Sequence, residues 1–321
     1  MAISKVSVSG ITSGVKTTST VSPVKASGGN TVAVSGGYTY HAYTSVGSST
    51  FIPYFTGTVE ILVVGGGGGG GRYGGGGGAG GVLFTTYRVT AGTSYATAVG
   101  DGGAGWAGDA QFGGVADNGS NSSFNTTVIA YGGGGGGCYT NNNSTFVWGR
   151  NGGSGGGCAA PNSSGSGGIT RAYGAGIIGQ GNNGGYTAGA VQGGFRQFGG
   201  GGGAGGVGQD GGAANGSNGK GGVGTAAYSA WGLATNTGHN VSGTYYFGGG
   251  GDSANTETTL LTGSFGGGGI GTWPGYAATA ADVDGKANTG GGGAGNPDNY
   301  ISGVWRAGKG GSGVIIVRYA S

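Results

Sequence analysis

The chain has 321 residues, 95 of them glycine and 5 proline, and a net charge of +3. Collagen is excluded, because the glycines do not recur at every third position and five prolines cannot stiffen a triple helix; the small, scattered charge excludes a basic nucleic-acid footprint. Disorder, the usual meaning of so much glycine without a period, is disfavoured by charged residues at only 7% and aromatics at 10%, which stand at the ends of glycine runs.

Residues 1–57 read as an N-terminal β module. Short β-branched or aromatic stretches at Lys5 to Ser9, Thr31 to Ser35, Tyr38 to Thr44 and Thr50 to Phe55 are each bounded by Gly/Ser clusters. His41 reads as a strand residue rather than a ligand, since its only companion is the distant His239. The opening Met1-Ala2-Ile3-Ser4-Lys5-Val6-Ser7 is too polar for a secretory h-region, and no apolar run of about 18 residues is present to span a membrane. Cys138 and Cys158 lie on either side of a loop that a disulfide could close, but free thiols are the expected state.

Residues 58–321 form a glycine-rich segment. It is organised around Val59-Glu60-Ile61-Leu62-Val63-Val64, which runs into seven glycines, Gly65 to Gly71, and after Arg72-Tyr73 into Gly74 to Gly78. Such a run has no side chains to bury and lacks the Asn-Gly or Pro-Gly punctuation of a turn. It is either a flexible linker or a threefold, left-handed polyproline-II-type rod packed against copies of itself. In the second case the rods must exchange their N–H and C=O groups. The rod is the reading adopted, and seven residues then span roughly 20 Å at about 3.1 Å each. Because glycine loses so much backbone freedom on ordering, a bundle of this kind forms cooperatively.

Further along, Val82 to Val89 and Tyr95 to Val99 are predicted to pair as a hairpin across Thr90-Ala91-Gly92-Thr93. Asn125 to Tyr131 is a strand that enters the tract Gly132 to Gly137. Val314-Ile315-Ile316-Val317-Arg318-Tyr319 mirrors Val59 to Val64 and is predicted to join its sheet, clamping the glycine segment at both ends. The fold class is therefore mainly β: a sheet or sandwich scaffold clamping a polyglycine-II bundle, with essentially no α-helix beyond one turn near Ala277 to Ala281.

Between Cys138 and Gly313, glycine tracts alternate with polar, aromatic loops. Trp106, Tyr131, Phe198 and Phe247, beside glycine tracts, are expected to cap and seal the rods. Trp231, Trp273, Tyr276, Tyr300 and Trp305, on longer polar loops, are the candidate contact residues, because aromatic faces suit sugar rings and protein hot spots alike. Their loops, 226–247, 270–286 and 296–306, are expected to emerge as one surface. Asn118, Asn121, Asn125, Asn143, Asn162, Asn215 and Asn240 stand in N-x-S/T sequons and read as loop residues.

Motifs that suggest chemistry do not survive inspection. G-x-G-x-x-G is uninformative in such a chain, and Lys220 and Lys309 are followed by glycine, which rules out a phosphate-binding G-K-[ST] loop. Gly205-Gly206-Val207-Gly208-Gln209-Asp210 opens like a calcium β-roll repeat but occurs once. Asp282-Val283-Asp284-Gly285 is too short for an EF-hand loop. The scattered carboxylates, histidines and cysteines show neither triad nor zinc spacing, so no catalytic residue, cofactor or metal is expected.

Thr58 to Val64 with its glycine tract is the first of four stretches that carry a resemblance. The second is Gly92-Thr93-Ser94-Tyr95 leading to Val99-Gly100-Asp101-Gly102-Gly103-Ala104-Gly105. Asn118 to Phe124 running on to Tyr131 is the third, and Gly310-Gly311-Ser312-Gly313 with Val314 to Tyr319 is the fourth. In their order and spacing, with Gly37 to Thr44 leading in, they resemble the glycine-rich domains of bacteriophage tail-fibre and other virion proteins, over roughly residues 36–321. The resemblance implies a non-enzymatic virion protein assembled in the host cytoplasm, a tail-fibre tip or adhesin. Its loops would contact a host surface glycan or outer-membrane protein, and its N-terminal module would attach to other virion proteins. A homotrimer is compatible with it. The alternative is a purely structural virion component, such as a capsid decoration or a head or collar fibre, with no receptor. An enzyme is the weakest reading, since a glycoside hydrolase wants two carboxylates set across a cleft.

Overall fold

The fold is described by a computed structural model over residues 24–107, 116–138, 148–159, 172–187, 198–212, 219–254, 263–272, 279–296, 300–301 and 304–321. Strand β5 (Gly57–Val64) and strand β14 (Val314–Ala320) lie side by side and antiparallel, Val314 opposite Val64 and Arg318 opposite Glu60, as their mirrored sequences predict. They are inner strands of a five-stranded sheet in the order β2 (Thr31–Ser35), β3 (Tyr38–Tyr43), β14, β5, β6 (Val82–Val89). The second sheet runs β1 (Ala26–Ser27), β4 (Gly47–Pro53), β7 (Tyr95–Val99), β8 (Ser122–Phe124), β9 (Val128–Ala130). Phe51, Val59, Ile61, Val63, Phe124, Ile315 and Val317 belong to the buried core shared by the two sheets. The alternate residues Leu62, Val64, Val314 and Ile316 belong to a second core that includes Trp231 of the short helix α1 (Ser229–Thr235). A strand buried on both faces reads as a continuous apolar run, which is why β5 and β14 stand out in the sequence.

The glycine runs are rods. Along residues 65–71 the amides of Gly65, Gly68 and Gly71 donate to Gly81, Gly78 and Gly75; those of Gly66 and Gly69 to Ser120 and Asp117; those of Gly67 and Gly70 to Gly311 and Gly308. In return Gly66 and Gly69 accept from Gly133 and Gly136, Gly67 and Gly70 from Gly103 and Trp106, Gly68 and Gly71 from Gly293 and Asn296. Each neighbour is met at every third residue, the period of a threefold polyproline-II-type helix. Partner numbers fall along the first set and rise along the second, so this rod donates to three antiparallel neighbours and accepts from three parallel ones. No glycine in it has positive φ.

The strands hand their register to the rods. Val64 faces Val82 in the β5–β6 pair, and the next bond, Gly65 to Gly81, continues the same offset out to Gly71 and Gly75. Likewise Val64 opposite Val314 leads to Gly67 bonded to Gly311. Ser122 opposite Ala130 leads to Gly119 bonded to Gly133, and Thr97 opposite Phe124 leads to Ser120 bonded to Asp101. The two sheets are thus the template on which the rod bundle is laid.

Several expectations are corrected. The segments 82–89 and 95–99 do not pair: β6 lies in one sheet and β7 in the other, between β4 and β8. The connection crosses the sandwich at Gly92, whose φ is +75° and whose amide donates to Pro53, so Val89 and Tyr95 enter one core from opposite sheets. Residues 24–57 are not a separate module, because β3 pairs with β14 and β4 with β7; the stretch Lys5 to Ser9 lies outside the described residues. Helix α1 and the hairpin of β10 (His239–Val241) and β11 (Thr244–Tyr246) replace what reads as loop. Gly232 weakens the helical pattern of α1, yet its Cβ-less surface lies against Tyr245, so packing outweighs propensity. The hairpin turns through Ser242 and Gly243, both at positive φ, as a two-residue connection requires. The single turn expected near Ala277 to Ala281 is helix α2 (Ala280–Val283), capped by Thr279 and Asp282.

His41 is fully buried on β3. Its Nδ1–H donates to the Gly28 carbonyl at 2.7 Å, and its Nε2 is hydrogen-bonded to the Tyr319 hydroxyl at 3.0 Å. Burial disfavours the charged ring and lowers its pKa against the opposing pull of the Gly28 bond. The unfolded chain takes up a proton near pH 6.5 while the fold does not, so stability present above about pH 6.5 is lost on acidification, by at most about 1.4 kcal/mol per unit. On acidification from about pH 7.5 to 6 the melting temperature of wild type should fall relative to that of His41→Gln, in which the contributions of all other groups are unchanged. Equal slopes would show that His41 does not set the dependence.

Candidate functional site

The hydrogen-bond ladder gives the bundle two ends: a base where the strands enter it and a tip at the Arg72-Tyr73 turn. Trp106 and Asn296 donate to Gly70 and Gly71, Gly137 accepts from Gly75, Gly157 donates to Gly76, Gly76 donates to Gly199, and Ala254 donates to Gly74. These bonds put Ala107, Cys138, Ala159, Phe198, Ala254 and Asn296 at the tip. Each of the six borders a connecting segment outside the described residues.

Apolar side chains close the tip. Ala159, Phe198 and Ala254 pack with Tyr73, and Trp106 packs with Cys138 and Ala307. The Arg72 guanidinium lies 4.8 Å from the Trp106 ring centre and 5.5 Å from that of Tyr73. Trp106, Phe198 and Phe247 are buried, the sealing role their place beside glycine predicts, whereas Tyr131 stays 43% exposed. Cys138 and Cys158 are buried free thiols, and burial pushes the Cys138 thiol up to about 11.

Rod amides that face no rod neighbour are met by side chains. Asn118 and Asn121 accept through Oδ1 from Gly135 and Gly132, both at 2.9 Å; their three-residue spacing is the rod period. Asn151 and Asn183 do the same for Ala175 and Gly176. Asn118 and Asn121 are thus bundle residues, not the loop residues their sequon context suggests. Asp252, fully buried, accepts from Gly221 at 2.8 Å, Gly263 at 3.0 Å and Gly271 at 3.3 Å. Burial pushes its carboxyl up to about 6, against those amides and the Lys220 charge. All three donors are backbone amides of glycine segments, which makes Asp252 a terminator of the bundle. Only its position after Gly248 to Gly251 signals this in the sequence. Asp284 of the short Asp-Val-Asp-Gly stretch takes the Arg306 guanidinium through two bonds, at 2.6 and 3.0 Å.

The five candidate aromatics do not form one group. Trp231 is 4% exposed. It sits at the base on α1, edge-on to Tyr40 and Phe84, with the Arg318 guanidinium 4.3 Å from its ring centre. Arg318 is held in turn by Glu60 at 2.5 Å. The expectation of an exposed loop fails here because the sheet's outer face needs an apolar cover, and Trp231 supplies it. Trp231 is therefore removed from the surface expected of loops 226–247, 270–286 and 296–306: Asn296 sets the last of these at the tip, whereas Lys286, at the end of the second, meets His239 of the first at 3.1 Å. Tyr300 and Trp305 are opposite each other in the two-stranded hairpin β12 (Tyr300–Ile301) and β13 (Val304–Trp305). Asn296 and Arg306, next to that hairpin, bridge to Arg72 and Ala107 at the tip. Trp273 and Tyr276 lie outside the described residues. Among the described residues no three His, Cys, Asp or Glu side chains are placed to hold a metal.

Residues 43–320 match the family described as a glycine-rich domain. No curated protein matches the chain.

Proposed function

We propose a non-enzymatic role for this chain, which belongs to the glycine-rich domain family: a virion tail-fibre tip or adhesin that presents contact residues to a host surface from the tip of its rod bundle. The observation that carries the reading is the common placement of Ala107, Cys138, Ala159, Phe198, Ala254 and Asn296 at the end opposite the sandwich. A rod whose every amide is bonded to a neighbour cannot bend without breaking the lattice, so the bundle is a stiff pedestal. Segments starting from one end of a pedestal can vary in sequence without disturbing the register below, which is what recognition of varied surfaces requires. Trp305 and Tyr300 on their hairpin, with Trp273 and Tyr276, remain the candidate contacts for a glycan or outer-membrane protein; Trp231 does not. The base, with the residues that precede it, is the side that faces other virion proteins.

Particles carrying Trp273→Ala or Trp305→Ala are expected to assemble with a chain of unchanged melting temperature and to adsorb more weakly to host cells, by about 1–4 kcal/mol of contact energy for a hot-spot residue. Normal adsorption by the double variant would leave a structural virion role without a receptor.

A further inference from the structure

Among the described residues strand β2 is an outer edge of its sheet: it pairs with β3 and with no described strand on its other side. Its five residues, Thr31-Val32-Ala33-Val34-Ser35, read almost the same in both directions about Ala33. Val32 and Val34 are 45% and 55% exposed. They stand opposite His41 and Thr39 of β3, on the side where the second sheet packs, and their exposure shows that this sheet stops short of them. Edge strands are normally guarded against pairing by a charge, a proline or a bulge. Residues 31–35 carry none of these, whereas β6, the opposite edge, carries Arg88.

We propose that β2 is a docking edge for a second copy of this chain, the two β2 strands pairing antiparallel about a twofold axis through Ala33. In that register Val32 of one copy faces Val34 of the other on both sides of the axis, and Thr31 faces Ser35. A self-complementary patch is what a twofold interface demands, since one surface must serve both partners. Cross-strand β-branched pairs stabilise such a contact, and the two five-stranded sheets become one of ten. The contact is smaller than the roughly 800 Å² per partner of a standard stable interface, so it is weak between free chains and strengthened where several copies are held together. The proposal does not rest on the adhesin reading, and it specifies twofold rather than threefold association.

Sedimentation of the full-length chain from low to several hundred micromolar should show the mass rising from 30.1 kDa towards its double. Val34→Lys, at an exposed position, should keep its melting temperature and stay monomeric throughout. Opposed Cα atoms in an antiparallel pair lie about 4.5–5.5 Å apart, within disulfide range. An oxidised mixture of Val32→Cys and Val34→Cys chains should therefore yield a linked dimer that neither variant gives alone, Cys138 and Cys158 being buried. A wild-type chain that remains monomeric at every concentration would overturn the proposal, as it would if the chain's own N-terminal residues occupied this edge. So would a Val34→Lys chain that still associates, or a mass that climbs towards three copies.

Discussion

A Gly68→Val chain is expected not to fold. Gly68 lies midway along the most surrounded rod, donating to Gly78 at 2.8 Å and accepting from Gly293 at 2.9 Å. A Cβ there would sit 2.2 Å from the Gly134 carbonyl oxygen and 2.5 Å from its carbon, with the Gly133 oxygen at 2.9 Å. Overpacking a side-chain core costs typically about 1–3 kcal/mol, because side chains can turn aside. Here the obstacle is backbone, and the rod containing Gly134 is itself bonded to Gly78 and Ser154. Moving it breaks several buried hydrogen bonds, each leaving unsatisfied groups that cost about 1–3 kcal/mol. Several such losses together are comparable with the roughly 5–15 kcal/mol by which a domain is stable. Gly206→Ala is the control: only Val223 comes within contact of its Cβ, at 3.3 Å or beyond, so its melting temperature should stay near wild type. Wild-type melting by Gly68→Val would mean that the rods do not touch.

Deleting residues 314–321 should have an effect of the same order by a different route. Strand β14 is hydrogen-bonded to β3 on one side and β5 on the other. Val314, Ile315, Ile316 and Val317 are fully buried and Tyr319 nearly so. At about 1.5–3 kcal/mol for each buried side chain, their loss removes on the order of 10 kcal/mol from the two cores together. It also removes the strand that aligns residues 308–313 against residues 65–71. The truncated chain is expected to be digested by protease under conditions where the full chain resists; equal resistance would show that β14 is not the clamp.

The pattern of these effects follows what each kind of residue encodes. The sandwich was legible where side chains alternate or run apolar, in β3, β5 and β14, and less so in β10 to β13, two or three residues long and recruited by neighbours. The tip was legible in part: Trp106 and Phe198 end glycine tracts and close the bundle. Trp231 was misread because a tryptophan in a polar, glycine-containing stretch looks like a loop residue until a sheet face lies beneath it. Asn118, Asn121 and Asp252 were passed over because their partners are backbone amides distant in sequence or on rods not yet placed.

The sequence by itself determined that residues 65–71 and 74–78 are not side-chain-packed core strands but a linker or a rod, since a backbone without Cβ atoms can only bond to other backbones at close range; the rod bonding itself is a tertiary fact. The sequence also determined that β5 and β14 share a sheet, through their matched β-branched runs. Which rods become neighbours, and at what offset, was decided only by the tertiary structure. One glycine is chemically the same as the next, so a rod carries no information about its register. That information resides in the strands: Val64 opposite Val82 and Val64 opposite Val314 set the offsets that Gly65 with Gly81 and Gly67 with Gly311 then extend.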